Sequence, residues 1–219
     1  MATRPKTSEA QIIEQYRIAL NNAENQPQIA STMAEFGYDS EEIAKGKQIW
    51  QNANNAYNLN KTEDDETNLA HSNFINKKAE VEGFYSLHRK KAKVIFRNDS
   101  VTLEKLGIKG SIPQAHVKWI EVVKKFYAIT TSDTEIQTKL ARLKITPEEL
   151  NNANTLVGDL ETARLEYMRE KGESQDATQA KDAALAEIDD WMSEFYAVAK
   201  IALEDNIQLL EALGKTIRN

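Results

Sequence analysis

Apolar residues recur along this chain at helical spacing. Near the C-terminal end, Leu185, Ile188, Met192, Phe195, Ala199 and Ala202 follow one another at intervals of three and four. That is the stripe a helix turns toward a partner helix. Trp191, Tyr196, Val198, Ile201 and Leu203 widen it into a bundle-type face. The segment before it answers with Leu150, Ala153, Val157, Leu160 and Ala163. The first half of the chain repeats the arrangement, with Ile43, Trp50, Ala53 and Tyr57 against Phe74, Val81, Phe84, Tyr85, Ala92 and Ile95. Shorter apolar sets, Ile12, Ile13, Tyr16 and Leu20, then Trp119, Val122, Val123, Phe126 and Tyr127, mark a first helix in each half.

Only 4 Pro and 8 Gly interrupt 219 residues, so the elements are long. The spacing predicts an all-α fold with helices over 8–23, 27–36, 40–60, 64–97 and 100–106, then 113–130, 133–143, 147–171, 174–204 and 206–213. The polar stretches 60–66 and Lys171-Gly172-Glu173-Ser174 read as loops. Each would fold two long helices into an antiparallel hairpin.

The two halves also resemble each other in order and spacing. Leu103-Glu104-Lys105-Leu106-Gly107 recurs as Leu210-Glu211-Ala212-Leu213-Gly214, an offset of 107 that also superposes Ile13-Glu14 on Ile120-Glu121. Phe84-Tyr85 matches Phe195-Tyr196 at an offset of 111, which implies a gain and then a loss of four residues, about one helical turn. Asp39 with Glu42, and Thr146 with Glu149, read as capping boxes opening equivalent helices. Asn25 with Gln28 and Ser132 with Glu135 read as a second pair of starts, and Gly107 and Gly214 as left-handed C′ residues. Gly46 and Ala153, at equivalent places, suggest a close helix crossing. The expectation is a tandem duplication, with copies at 1–110 and 111–219 joined at Lys109-Gly110-Ser111-Ile112-Pro113. The copies are expected to pack into one globular unit with pseudo-twofold symmetry.

Composition narrows the function classes. The net charge of −6 lies wholly in residues 113–219, since residues 1–112 carry 15 basic and 15 acidic groups. A dedicated nucleic-acid binder is usually basic overall or in one domain, and this chain is neither. With no cysteine there is no thiolate chemistry and no cysteine metal site. The N-terminal residues lack the apolar core of a secretory signal, and no stretch approaches ~18 apolar residues. A cytoplasmic location away from membranes is therefore expected.

Chemistry-bearing patterns are sparse. Di-iron bundles need Glu-x-x-His pairs, and none occurs; His71, His88 and His116 never fall at helical pair spacing. Arg89, Lys90, Lys91, Lys93 and Arg97 form a basic run spread around a helix end. Glu187, Asp189, Asp190 and Glu194 read as the wet face of a bundle helix. His88 falls on the apolar stripe of copy one, where copy two offers Ala199. The residues singled out for a ligand or partner site are His88 and the aromatics Trp50, Tyr85, Trp191 and Tyr196. No cofactor is implied. Two readings stand. One is a non-enzymatic helical interaction or scaffold protein, binding another protein or its own copies. The other is a small-molecule or metal-binding bundle with its site at the interface between the copies.

Overall fold

The computed structural model describes residues 7–214, and among them every regular element is helical. In order these are α1 (Glu9–Asn25), α2 (Pro27–Glu35), α3 (Ser40–Ile95), α4 (Ser100–Lys105), α5 (His116–Ser132), α6 (Thr134–Ala141) and α7 (Pro147–Ala202). A single 3-10 turn (Glu204–Asn206) and the short α8 (Leu209–Ala212) follow. None of these helices is long and apolar enough to cross a membrane.

Local chemistry sets the ends. Asp39 Oδ1 accepts from the amides of Glu41 and Glu42, and Thr146 Oγ1 from that of Glu149, so both long helices start where expected. The shorter starts differ by one residue. Asn25 and Ser132 are the last residues of α1 and α5, and Gln26 and Asp133 are the caps. Ser132 Oγ bonds back to Ala128 O at 2.8 Å, which removes it as a cap, while Asp133 takes the amides of Glu135 and Ile136. Gly107 and Gly214 adopt φ of +69° and +76°. Ile108 N then donates to Leu103 O and Gly107 N to Glu104 O, the paired bonds that close a helix end. After α6 the same left-handed place is filled by Lys144, at φ +57°.

The two expected hairpins are not formed: α3 and α7 each run unbroken for 56 residues. The stretch 60–66 is polar but contains neither Gly nor Pro, so nothing in it breaks a helix. A single Gly172 costs a helix only about 1 kcal/mol. Asn60 sits buried on the α3–α7 seam, and the residues after it continue the helix as a mostly exposed polar surface. Inward positions of α3 step by three and four through Ile43, Gly46, Trp50, Ala53, Tyr57 and Asn60, and again, after a step of seven from Phe74, through Val81, Tyr85, His88 and Ala92. This is a heptad register.

By contact density the chain divides into two units. Unit 1 takes Met1–Asp65 and Glu173–Asn219, and unit 2 takes Glu66–Gly172. In unit 1 the first part of α3 runs antiparallel to the last part of α7. Asn60 Nδ2 donates to Thr178 Oγ1 at 3.0 Å, Ser174 Oγ to Asp64 at 2.7 Å, and Trp191 Nε1 to Glu42 at 3.3 Å. Its core includes Leu20, Ile29, Met33, Ile188, Met192 and Phe195. In unit 2 the remainder of α3 runs antiparallel to the start of α7, fixed by Thr67 Oγ1 on Glu170 O at 3.0 Å and Lys77 on Asp159 at 3.4 Å. Its core includes Tyr85, Leu106, Val123, Phe126, Tyr127 and Leu140. The linker 109–113 lies inside unit 2.

Element bounds recur at one separation. Glu9 and His116, Pro27 and Thr134, Ser40 and Pro147, and the ends Ile95 and Ala202 are each 107 residues apart. No four-residue gain or loss is needed. Counted from the start of its helix, His88 corresponds to Phe195, not to Ala199, and Tyr85 corresponds to Met192.

Gly46 is buried, and a Cβ there would meet three ring carbons of Trp191 at under 3.0 Å. That indole cannot move freely. It stacks on Phe195 with centroids 5.5 Å apart, meets Tyr38 edge-on at 5.5 Å, and donates to Glu42. Gly46→Ala should therefore destabilise the protein by about 1–3 kcal/mol through overpacking. Helix propensity alone would give a gain. Urea denaturation followed by tryptophan fluorescence distinguishes the two signs. At Lys144, glycine relieves a left-handed strain of about 1–2 kcal/mol, offset in part by its extra backbone entropy. Lys144→Gly should raise stability by about 0.5–1 kcal/mol in the same assay.

Candidate functional site

Unit 2 holds a buried line of polar side chains. His88, on the inward face of α3, has no solvent exposure. Its Nδ1 is 3.1 Å from the Tyr127 hydroxyl of α5. Its Nε2 is 3.3 Å from Glu149 Oε1 of α7, within ion-pair reach but outside hydrogen-bond alignment. One turn before His88 lies Tyr85, only 1% exposed, whose hydroxyl has no hydrogen-bond partner. Its ring meets those of Phe126 and Tyr127 edge-on at 5.6 and 6.4 Å. One turn after it, Arg89 donates Nη2 to the carbonyls of Ile108 and Gly110 and leaves its buried Nε unmatched. Lys93 reaches the same Gly110 carbonyl at 3.1 Å.

These surroundings shift the groups in definite directions. Burial pushes the Tyr85 and Tyr127 phenols upward, and the Arg89 guanidinium pulls Tyr85 part of the way back. Burial holds the His88 imidazole below its usual value, against the opposing pull of the Glu149 carboxylate and with a further small push from Lys91. His88 is thus a neutral imidazole near neutral pH, poised between a phenol and a carboxylate.

Beside this line a cleft of about 270 Å³ opens between α3, the α4–α5 connection and the start of α5. Tyr85 lines it, along with Lys78, Glu82, His116 and Trp119. His116 packs edge-on against Phe74 at 5.6 Å and near Trp119 at 5.8 Å, and its buried Nδ1 has no partner. Lys78 Nζ lies 5.9 Å from the centroid of the Trp119 ring and 3.4 Å from Glu82.

Of the residues singled out from sequence, His88 and Tyr85 lie together in unit 2. Trp50, Trp191 and Tyr196 lie together in unit 1, and there each polar atom is matched. Trp50 Nε1 donates to Ile13 O at 2.8 Å, Trp191 Nε1 to Glu42, and Tyr196 Oη to Leu213 O at 2.9 Å. Burial moves the Tyr196 phenol up to about 12. Tyr16 Oη donates to Asp189 at 2.8 Å, while Glu187, Asp190 and Glu194 are exposed along an open groove beside Trp191. Sequence reasoning missed Tyr127, Glu149, His116, Lys78 and Trp119 as members of a site. The one available signal was His116 three residues before Trp119 at the head of an apolar helix.

Compared with known proteins, the chain matches no protein-family model, no curated protein and no solved structure.

The His88 environment predicts an acid-sensitive contribution to stability. A histidine whose folded pKa is depressed is fully compatible with the fold above its unfolded value of 6.5. It loses stability as pH falls from there through the folded pKa, because the unfolded chain binds the proton first. Urea midpoints measured from about pH 7.5 to about pH 5 should fall more steeply for the natural chain than for His88→Phe, which carries the residue found at position 195. Parallel curves would refute the assignment.

Proposed function

We propose that this chain is a non-enzymatic scaffold unit, made by tandem duplication of a helical segment and assembling with further copies of itself. The constant 107-residue recurrence of helix bounds supports the duplication. The observation that carries self-assembly is a pair of complementary faces on unit 2. One is an open groove with Leu69 and Ala70 among its lining residues and Glu66, Glu166 and Glu170 at its edge. Leu69 is 73% exposed. Arg169 pairs with Glu166 and Glu170 and neutralises part of this charge. The other face is the end of α3 and the turn into α4, where Leu87, Lys90 and Val94 on α3, Arg97 in the turn and Val101 on α4 are all exposed. Val94 is 55% and Val101 80% exposed.

An acidic groove with exposed Leu69 matches a basic surface with exposed Leu87, Val94 and Val101. Because the two faces differ, the contact is head-to-tail, and such contacts build rings or open chains. Surface charge steers the encounter and is screened by salt, while apolar burial supplies affinity. Sedimentation velocity over a concentration series should show association that weakens as salt rises, and that is lost in both Leu69→Glu and Val94→Glu. A chain that stays monomeric at millimolar concentration and low salt overturns the reading. So does association unaffected by either substitution.

A further inference from the structure

We propose that the cleft of unit 2 lined by Arg97 and Arg142 binds a small phosphate monoester. The cleft encloses about 330 Å³ where the end of α3 meets the end of α6. Phe96 and Leu140, both buried in the unit 2 core, anchor the two turns that form it. Its lining is Arg97, Asn98 and Arg142 with Val94, Ile95 and Leu143. Both arginines are exposed, and among the described residues neither side chain has a hydrogen bond or an ion pair. The carboxylates of the α3–α4 turn and of α6 with its cap are already engaged. Asp99 accepts from the amide and hydroxyl of Thr102, Asp133 from Lys105, and Glu135 from Lys139. Two arginines therefore line one cleft without a counter-ion from these turns.

The fold does not require cations at these places. A helix end attracts positive side chains because its last carbonyls lack partners. In α6 the backbone meets them: Arg142 N donates to Lys139 O, Leu143 N to Leu140 O and Lys144 N to Ala141 O. Unit 1 shows the same at positions 107 residues away. There Glu35 stands for Arg142 and Glu204 for Arg97, both exposed, and Asp205 stands for Asn98. The apolar positions are kept, with Ile201 for Val94 and Phe36 for Leu143. Equivalent helix ends thus accept carboxylates, so the positive charge in unit 2 serves something other than the ends themselves.

The lining selects the ligand. A guanidinium offers paired N–H donors that match phosphate oxygens, and two guanidiniums match the double charge of a phosphate monoester. A simple carboxylate carries one charge and leaves one arginine unanswered. Val94, Ile95 and Leu143 supply an apolar wall for the organic part of the ester. A volume of about 330 Å³ admits a phosphate with a compact body. The site stands without the self-assembly reading, although Val94 and Arg97 belong to that face as well.

The experiment titrates the ¹⁵N-labelled whole chain, at constant ionic strength, with phenyl phosphate, inorganic phosphate and acetate. Phenyl phosphate should give saturable shifts at the amides of Arg97, Asn98, Arg142 and Leu143. Inorganic phosphate should bind more weakly, because it leaves the apolar wall uncovered, and acetate more weakly still. Arg97→Glu and Arg142→Glu introduce the residue type that unit 1 carries at the equivalent position, so the fold accepts them. Each should weaken phenyl phosphate binding at least about tenfold, the scale of a lost contact to a charged group. Lys118→Glu, at an exposed position on the first turn of α5, changes the net charge equally. It should leave the affinity within about twofold, since exposed charges outside the cleft are screened. Absence of saturable shifts at the four amides overturns the proposal. So does a loss in Lys118→Glu as large as in the arginine variants. Acetate binding as tightly as phenyl phosphate overturns the phosphate assignment, and inorganic phosphate doing so overturns the ester. The same titration in Leu69→Glu separates this site from self-assembly. Equal affinity there supports a site within one copy, and loss of binding places the anion at a contact between copies and overturns the assignment.

Discussion

The heptad seam between α3 and α7 fixes the position of nearly every other residue described above. Within each unit the two long helices run antiparallel, so each inward residue of α3 has one set of neighbours on α7 and no other. A seam of uniform apolar residues would tolerate sliding by a heptad. Here polar pairs prevent that. Asn60 with Thr178 and Asp64 with Ser174 in unit 1, and Thr67 with the Glu170 carbonyl in unit 2, are satisfied in one register only. The Asn60 and Thr67 pairs are partly buried and the Asp64 pair is exposed; a polar pair on a seam trades some stability for a unique alignment. Gly46 adds a steric lock, since the Trp191 indole sits where a side chain on α3 would be.

Given that register, the shorter helices dock where the seam leaves grooves, and the chemistry of each docking differs. In unit 1, Phe195 occupies the inward position 48 residues into its helix and completes an aromatic group with Tyr38, Trp191 and Tyr196. In unit 2 the position 48 residues into α3 is His88. Exchanging a phenyl ring for an imidazole brings two nitrogens into a space with no water access. Tyr127 and Glu149 are the groups that answer them, and Glu149 does so imperfectly. The imidazole at position 88 thus makes polar contacts to α5 and α7, where Phe195 makes aromatic ones.

The all-helical class was legible in the sequence because burial writes a 3.5-residue period wherever the seam is apolar, while the long hairpins expected from it are two unbroken helices. The starts at Asp39 and Thr146 and the left-handed glycines at 107 and 214 were legible too, since cap and turn chemistry is local. What was misread lay where the seam turns polar. Asn60, Asp64 and Ser174 fall in stretches that look like loops, because composition records polarity but not its setting in a helix. Only the cross-helix partners, more than 100 residues away in sequence, reveal that these side chains tie α3 to α7. The candidate site fared similarly. His88 and Tyr85 were visible as a histidine and an aromatic on one stripe. Glu149 and Tyr127 were not, because their roles depend on which helices the seam brings together. Trp50, Trp191 and Tyr196 stood out by size, yet each spends its polar atom on a backbone or carboxylate oxygen within unit 1.

Unmatched polar atoms distribute unevenly in a way that bears on function. Among the described residues, Tyr85 Oη, His88 Nε2, Arg89 Nε and His116 Nδ1 are buried without hydrogen-bond partners in unit 2, against Glu63 Oε2 in unit 1. Each such atom costs about 1–3 kcal/mol. A domain whose whole stability is of order 5–15 kcal/mol does not carry several of these without compensation. Three of the four have a charged or polar neighbour already in place: His88 Nε2 lies 3.3 Å from Glu149 Oε1, and the Arg89 guanidinium lies beside the Tyr85 hydroxyl. The fourth, His116 Nδ1, sits among the rings of Phe74 and Trp119. Compensation in unit 2 therefore comes from charged neighbours that the helix register brings close, not from aligned hydrogen bonds.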